Sequence, residues 1–398
     1  MQFKLRNKNL KDIAVLLLAL NIIFTFLNNN EYLLLSGFYI FLIPSIGIGI
    51  IAICSNKIIK INYGFTCSLI LLLLTLFGGI QAGVHLSTGV LYSFVLIFLE
   101  ACELFILDID EHDIDFLLNS VKYSSLIFAV LMFITRVDYW GGGWRYSVQL
   151  GNGPIIDPNY LGTVFSSGLA ISIYLMFKNK DVSRIRNFNL LTGLICLICI
   201  FFSGSRGAML ASAFSGMFSV IHIIHGKIRT KKEIIRNIFL FAIIFLTICF
   251  VITHLPKNVF KRLFVLSYQD GSNFRRIFLW KNAFGEIKKH VLLGVGCIEE
   301  IVSIGTPAHN SFLSLWLDLG GIGLISLLVM IIKPTFLMIR KKNYILLGIL
   351  TQNIITAFIM GCTFLLNFWI LIIMICLLAG MKTESDYLQK VIKIKERV

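Results

Sequence analysis

The chain has 398 residues, 57% hydrophobic and only 14% charged, with a formal net charge of +15. Soluble globular domains run at about 45–50% apolar and about 25% charged, so the composition excludes a soluble enzyme, a disordered tail protein and a nucleic-acid-binding domain. A bilayer core takes about 20 apolar residues per helix. Twelve spans therefore leave no room for a large separate soluble domain.

In chain order, apolar runs lie at about 12–29, 32–54, 63–83, 87–107, 119–135, 159–177, 188–203, 207–224, 237–254, 311–332, 343–361 and 364–380. Each is near helix-spanning length and most are rich in Ile, Leu and Phe. They predict an all-α, polytopic membrane protein with about 12 transmembrane helices, forming one integral membrane domain over 1–398. The first run follows a Lys/Arg-rich start and has no small-residue cleavage site behind it, which predicts a retained helix. The nine cysteines, at 54, 67, 102, 196, 199, 249, 297, 362 and 376, fall mostly inside apolar runs. No disulfide framework is expected. Cys196 and Cys199 have metal-like spacing but read as helix packing.

Lys and Arg counts set the topology. Short connections on the side of the termini carry 24 of them, against three in the short connections opposite; the long 255–310 loop carries eight. Long loops obey the positive-inside rule weakly. Both termini are therefore expected in the cytoplasm, with 136–158 and 255–310 as two structured periplasmic loops. Asp108, Asp110, Glu111, Asp113 and Asp115 put five acids on the assigned cytoplasmic side, the one poor fit. Were that segment external, Asp108, Asp110, Glu111 and Asp113 could form a carboxylate metal site; a solvated acidic turn is the plainer reading.

No GxxxxGK[ST] phosphate loop, HExxH zinc motif or GxSxG nucleophile elbow occurs. Inside the runs Glu100 and Glu103 are the main charges. That argues against an ion-driven relay and so against the transporter alternative, a flippase of lipid-linked sugars.

What is polar and unusual gathers in the outer connections. The stretch before the sixth run is dense in glycine and aromatics and holds Arg145, then Asp157, Pro158 and Asn159. Asp followed by Pro is an ordinary helix start. Trp140 and Trp144 fit either an interfacial belt or a sugar-stacking surface. SGSRG, Ser203 to Gly207, is so short that Arg206 must sit at or just inside the interface, where a charge normally has a partner or a task. In the long loop, Arg276 and Trp280 share a helix face, beside Arg275. Ile277, Trp280, Phe284 and Ile287 recur at helical spacing, which predicts an amphipathic helix on the membrane or against the bundle. His309 and Asn310 stand immediately before the tenth run. A histidine there feels the positive end of the helix dipole, stays neutral and can act as a general base, while Asn310 or Ser311 caps the helix.

Taken in order, DPNYLG, SRG, Arg-x-x-x-Trp with GVG (Gly294 to Gly296) downstream, and HNSFL resemble the bacterial O-antigen polymerase/O-antigen ligase superfamily over about residues 140–330. The first 130 residues match only as hydrophobic helices. The resemblance implies a glycosyltransferase of the bacterial inner membrane, active at the periplasmic face without metal, nucleotide or other cofactor. Its substrate would be an oligosaccharide linked to undecaprenyl diphosphate, and a chain-length regulator is the membrane partner implied. It assigns His309, Arg206 and Arg276 as catalytic. Arg145, Arg275, Asp157, Asn159, Trp280 and Asn310 are expected to bind substrate. The motif wording favours the polymerase, which extends a lipid-linked repeat unit, over the ligase, which passes the chain to lipid A-core.

Overall fold

The computed structural model describes residues 2–27, 34–55, 61–81, 88–135, 137–139, 145–149, 155–179, 182–225, 231–264, 271–296, 308–361 and 366–381. Among them each apolar run has become a helix. These are α1 (Gln2–Leu27), α2 (Leu34–Cys54), α3 (Tyr63–Gln81), α4 (Thr88–Ile106), α5 (Glu111–Thr135), α6 (Pro158–Lys178), α7 (Ser183–Ser203), α8 (Arg206–His225) and α9 (Lys231–His254). After α10 (Lys257–Phe264) and α11 (Gly271–Ile287) come α12 (Ser311–Arg340), α13 (Tyr344–Ile359) and α14 (Leu366–Gly380). α3, α5 to α9 and α12 are long and apolar enough to cross a membrane; Ile40–Cys54, α13 and α14 are shorter apolar helices. The protein is a polytopic all-α membrane protein. Both loops expected to be structured contain ordered elements: α10 and α11 lie in one, and a small ribbon of β1 (Val137–Tyr139) and β2 (Arg145–Ser147) in the other.

Contacts between helix ends show how the chain alternates. Lys11 near the start of α1 pairs with Asp113 at the start of α5 at 2.7 Å, and Lys178 at the end of α6 meets Glu111 and Asp115, each at 2.5 Å. Lys341, after α12, donates to the Ala379 carbonyl in the last turn of α14, and His225 packs on Tyr344. These groups belong to connections on the side of the termini, which together hold most of the Lys and Arg, and they meet at one end of the bundle, the basic end. The acidic segment therefore sits beside Lys11 and Lys178, which removes the one poor fit in the charge pattern. Its helix start is built by reciprocal caps: Asp110 accepts from the Asp113 N–H and Asp113 from the Asp110 N–H. The Asp113 N–H bond holds the Asp110 carboxyl below its ordinary range.

α6 is the central helix, with 78% of its span buried against 6% for α9 at the rim. Small residues let neighbours approach it closely: Gly168 lies against Ser125 of α5. Gln352 of α13 donates to Ser166 and Ser167, a polar contact inside the bundle.

One span departs from expectation. α12 is not a continuous helix from 311 to 332; it breaks at Gly320, where φ is 70°. The end of the long loop docks into the break. Val295 N–H donates to Leu317 O and Gly321 N–H to Val291 O, at 2.8 and 2.7 Å. A Cβ at Gly320 would lie 2.1 Å from Leu292 O, and one at Gly294 2.4 Å from Asp318 O. Both positions have positive φ, so only glycine satisfies backbone angle and clearance together.

Candidate active site

The end of the bundle opposite the basic end carries the motifs. At the start of α6, Asp157 is the N-cap: its carboxylate accepts from the Asn159 N–H at 2.7 Å, and Pro158 occupies the first turn. The Asn159 side chain also donates to Asp157, and its oxygen accepts from Arg145 Nη1 at 3.1 Å. Arg145 is buried at the first position of β2. The ribbon is anchored by Ser147 donating to Ile156 O and by Tyr146 edge-on to Phe202 of α7. Arg145, Asn159 and Asp157 thus form one hydrogen-bonded row. Trp140 and Trp144 lie outside the described residues.

α7 stops at Gly204, left-handed with φ 62°, and α8 begins at Arg206. Ser205 covers the start of α8, its hydroxyl 3.4 Å from the Ala208 N–H. Arg206 is half-buried at the first helical position. Two close approaches fix it beside other motifs: a Cβ on Gly162 would lie 2.7 Å from Ser205 of the same turn, and one on Gly207 2.9 Å from Ile359 of α13.

α11 is the expected helix in the long loop, with its face rotated from expectation. Leu279, Ala283 and Ile287 are buried, Ile277 is exposed, and Phe284, partly exposed, packs edge-on to Trp316 of α12. Ala283 and Ile287 pack with Leu313 and Leu317 of α12, with Trp280 against them. Trp280 donates its indole N–H to Ala308 O at 2.8 Å and packs edge-on to Phe358. Its polar atom is therefore committed to the backbone next to His309. Asn310 caps α12, accepting from the Phe312 and Leu313 N–H groups at 3.0 and 3.2 Å. Ser311 donates to Met360 O.

His309 itself is exposed and holds φ 51°. A left-handed non-glycine residue is uncommon and persists where its surroundings over-determine it. Here those surroundings are the Trp280 bond on one side and the Asn310 cap on the other. The histidine's proton affinity is lowered below the usual 6.5, first by desolvation, then by Arg276 and, less strongly, Arg275, with Asp157 opposing them. The same interactions place Arg275, Arg276 and Asp157 within electrostatic reach of the imidazole.

Three separate segments, at 157, 275–276 and 309, therefore converge on one imidazole whose proton affinity is lowered. Arg206 is carried to the same end through Gly162, Gly207 and α13. Such a patch can accept a proton at His309 and hold a multiply charged anion on arginines. Among the residues expected to bind substrate, Asp157, Asn159, Trp280 and Asn310 all have structural bonds that shape the patch. The helix break at Gly320 and the Trp280–Ala308 bond were not read from the sequence. The Gly320–Gly321 doublet was a usable signal for the first; nothing local signals the second.

A second chemistry is weaker on geometry. Asp110, His112 and Asp113 could offer donor atoms within 4.8 Å of one another. They belong to the basic end, and the Asp113 carboxylate already accepts from Lys11 and the Asp110 N–H.

No curated protein matches the chain. Residues 191–328 match the family model described as O-antigen ligase. That segment includes Arg206, Arg275, Arg276, Trp280, His309 and Asn310, and leaves Arg145 and Asp157 before it. Over that segment the chain is similar to the family, which supports its resemblance to the O-antigen polymerase/ligase superfamily.

Proposed function

We propose that the protein transfers a glycan from undecaprenyl diphosphate to a lipid-linked repeat unit at the periplasmic face of the bacterial inner membrane, as an O-antigen or related surface polysaccharide polymerase. The observation that carries this reading is His309 held at φ 51° between the Trp280–Ala308 bond and the Asn310 cap, with Arg275, Arg276 and Asp157 acting on its imidazole. In the proposed step His309 takes the proton of an acceptor sugar hydroxyl. The hydroxyl oxygen bonds to the anomeric carbon, and the bond from that carbon to the diphosphate oxygen breaks with its electron pair on the diphosphate. Arg206 and Arg276 stabilise that departing charge, because a guanidinium stays protonated and binds phosphate oxygens in pairs. A single displacement inverts the anomeric centre. The carrier's diphosphate bond supplies the driving force, so the reading needs neither nucleotide nor metal. The cytoplasmic placement of both termini belongs to the same proposal, supported by the Lys and Arg distribution.

The matched family carries the description O-antigen ligase but does not separate ligase from polymerase, so the ligase is the second reading. Gene disruption separates the two. Loss of a polymerase leaves lipopolysaccharide capped with a single repeat, whereas loss of a ligase leaves bare core and polymer retained on the carrier. If neither pattern appears, both readings fall. In vitro, the purified protein should lengthen a defined repeat unit linked to undecaprenyl diphosphate.

A further inference from the structure

Between α6, α7, α8 and α9 lies an apolar cavity of about 400 Å³, within the usual range for ligand sites of about 300–1,000 Å³. Its end nearest the motifs is bounded by Phe201 and Met209, and its far end by Phe177 and Ile223. From Met209 to Ile223 is about 21 Å along α8 at about 1.5 Å per residue, roughly two thirds of a hydrocarbon core of about 30 Å. Arg206 stands one helical turn above Met209 on the same helix.

The space exists because the walls are small where they face each other. Gly216 lines it, and a Cβ there would meet nothing within 4 Å. α9 packs along α7 and hardly along α8, so the α8–α9 side is the least closely packed wall of the cavity. Three lining groups, Ser172 Oγ, Ser212 Oγ and Asn189 Nδ2, belong to buried residues and have no hydrogen-bond partner.

We propose that this cavity receives the polyprenyl chain of the carrier while its diphosphate sits at Arg206. The inference rests on the diphosphate-linked donor proposed above and adds where its lipid goes. Charge and shape agree: a cationic residue stands one helical turn beyond the motif-side end of a long apolar slot. The donors of these three groups also favour an isoprenoid over a saturated acyl chain. Double bonds present π faces to which O–H and N–H groups donate weakly, and a saturated chain presents none.

The test uses full-length protein in phospholipid vesicles, with photo-leucine at Leu197 of the cavity wall and added undecaprenyl diphosphate as the probe. Capture of undecaprenyl diphosphate over the excess phospholipid is expected; capture of phospholipid alone overturns the proposal. Independently, Gly216→Leu narrows the slot from a position where the added Cβ meets no neighbour. It should raise KM for the undecaprenyl-linked donor about tenfold, equivalent to about 1.4 kcal/mol, and leave a geranyl-linked donor unaffected. An unchanged KM for the long donor in well-expressed variant overturns the proposal. Photo-capture without any glycan transfer by the wild-type protein counts against the reaction and still supports the lipid slot.

Discussion

The two ends of the bundle use charge in opposite ways. At the basic end cations meet acids directly: Lys11 with Asp113, and Lys178 with Glu111 and Asp115. At the motif end the field at His309 comes from two arginines against one aspartate, with Arg206 on the adjoining helix start. Matched pairs tie α1, α5 and α6 together and leave little potential for a ligand. A positive excess beside a desolvated base is instead suited to an anion whose charge grows as it leaves. Charge count alone ranks the basic end higher; the arrangement reverses that ranking.

The largest effect that would break this contrast is at His309. His309→Ala should lower glycan transfer by at least about 100-fold, the usual scale for general-base removal, at normal expression. Near-normal chain lengthening in that variant would sink the proposed role. Arg206→Gln and Arg276→Gln should each cost about 100-fold, as for removal of a charge-stabilising donor, with lysine restoring part of it. Arg275→Gln should cost less, because Arg275 is more exposed and acts less strongly on His309. Equal losses at 275 and 276 would mean that the two share the diphosphate.

A backbone test comes next. Gly320→Ala places a Cβ against Leu292 O in a left-handed conformation, which by itself costs about 1–2 kcal/mol. The variant should show a lower unfolding temperature and less folded protein. An unchanged melting curve would show that the loop does not dock there.

The pH dependence sharpens the comparison further. A base with lowered proton affinity is neutral down to a lower pH, so the acid limb of activity should lie below the ordinary histidine value of about 6.5. Arg276→Gln removes a positive neighbour and should move the limb of the residual activity up; Asp157→Asn removes a negative one and should move it down. Between the lowered and the ordinary value the unfolded chain binds more protons than the folded one, so stability also rises with pH there. Opposite shifts would place His309 in a different field.

The smallest effect should come from the basic end. Lys11→Ala should cost about 1–2 kcal/mol of stability, on the scale of a hydrogen bond to a charged group. Activity per folded molecule should be unchanged, measured as transfer rate normalised to folded protein. A selective loss of rate would show that the two ends are coupled.

The twelve helices were legible in the sequence because a run of about 20 apolar residues has one stable solution in lipid, with every backbone group bonded inside the helix. The Asp157 and Asn310 starts were legible for a similar reason: a cap is a bond between near neighbours in the chain. Arg206, Arg276 and His309 were conspicuous because charged and ionisable groups are scarce near these apolar runs. Only the tertiary structure decided which face of α11 is buried, that Trp280 holds the carbonyl before His309, and that α12 opens at Gly320 to admit the end of the long loop. The slot below Arg206 also depends on residues of four helices. These are contacts between segments far apart in sequence, and local spacing carries no information about which segments meet.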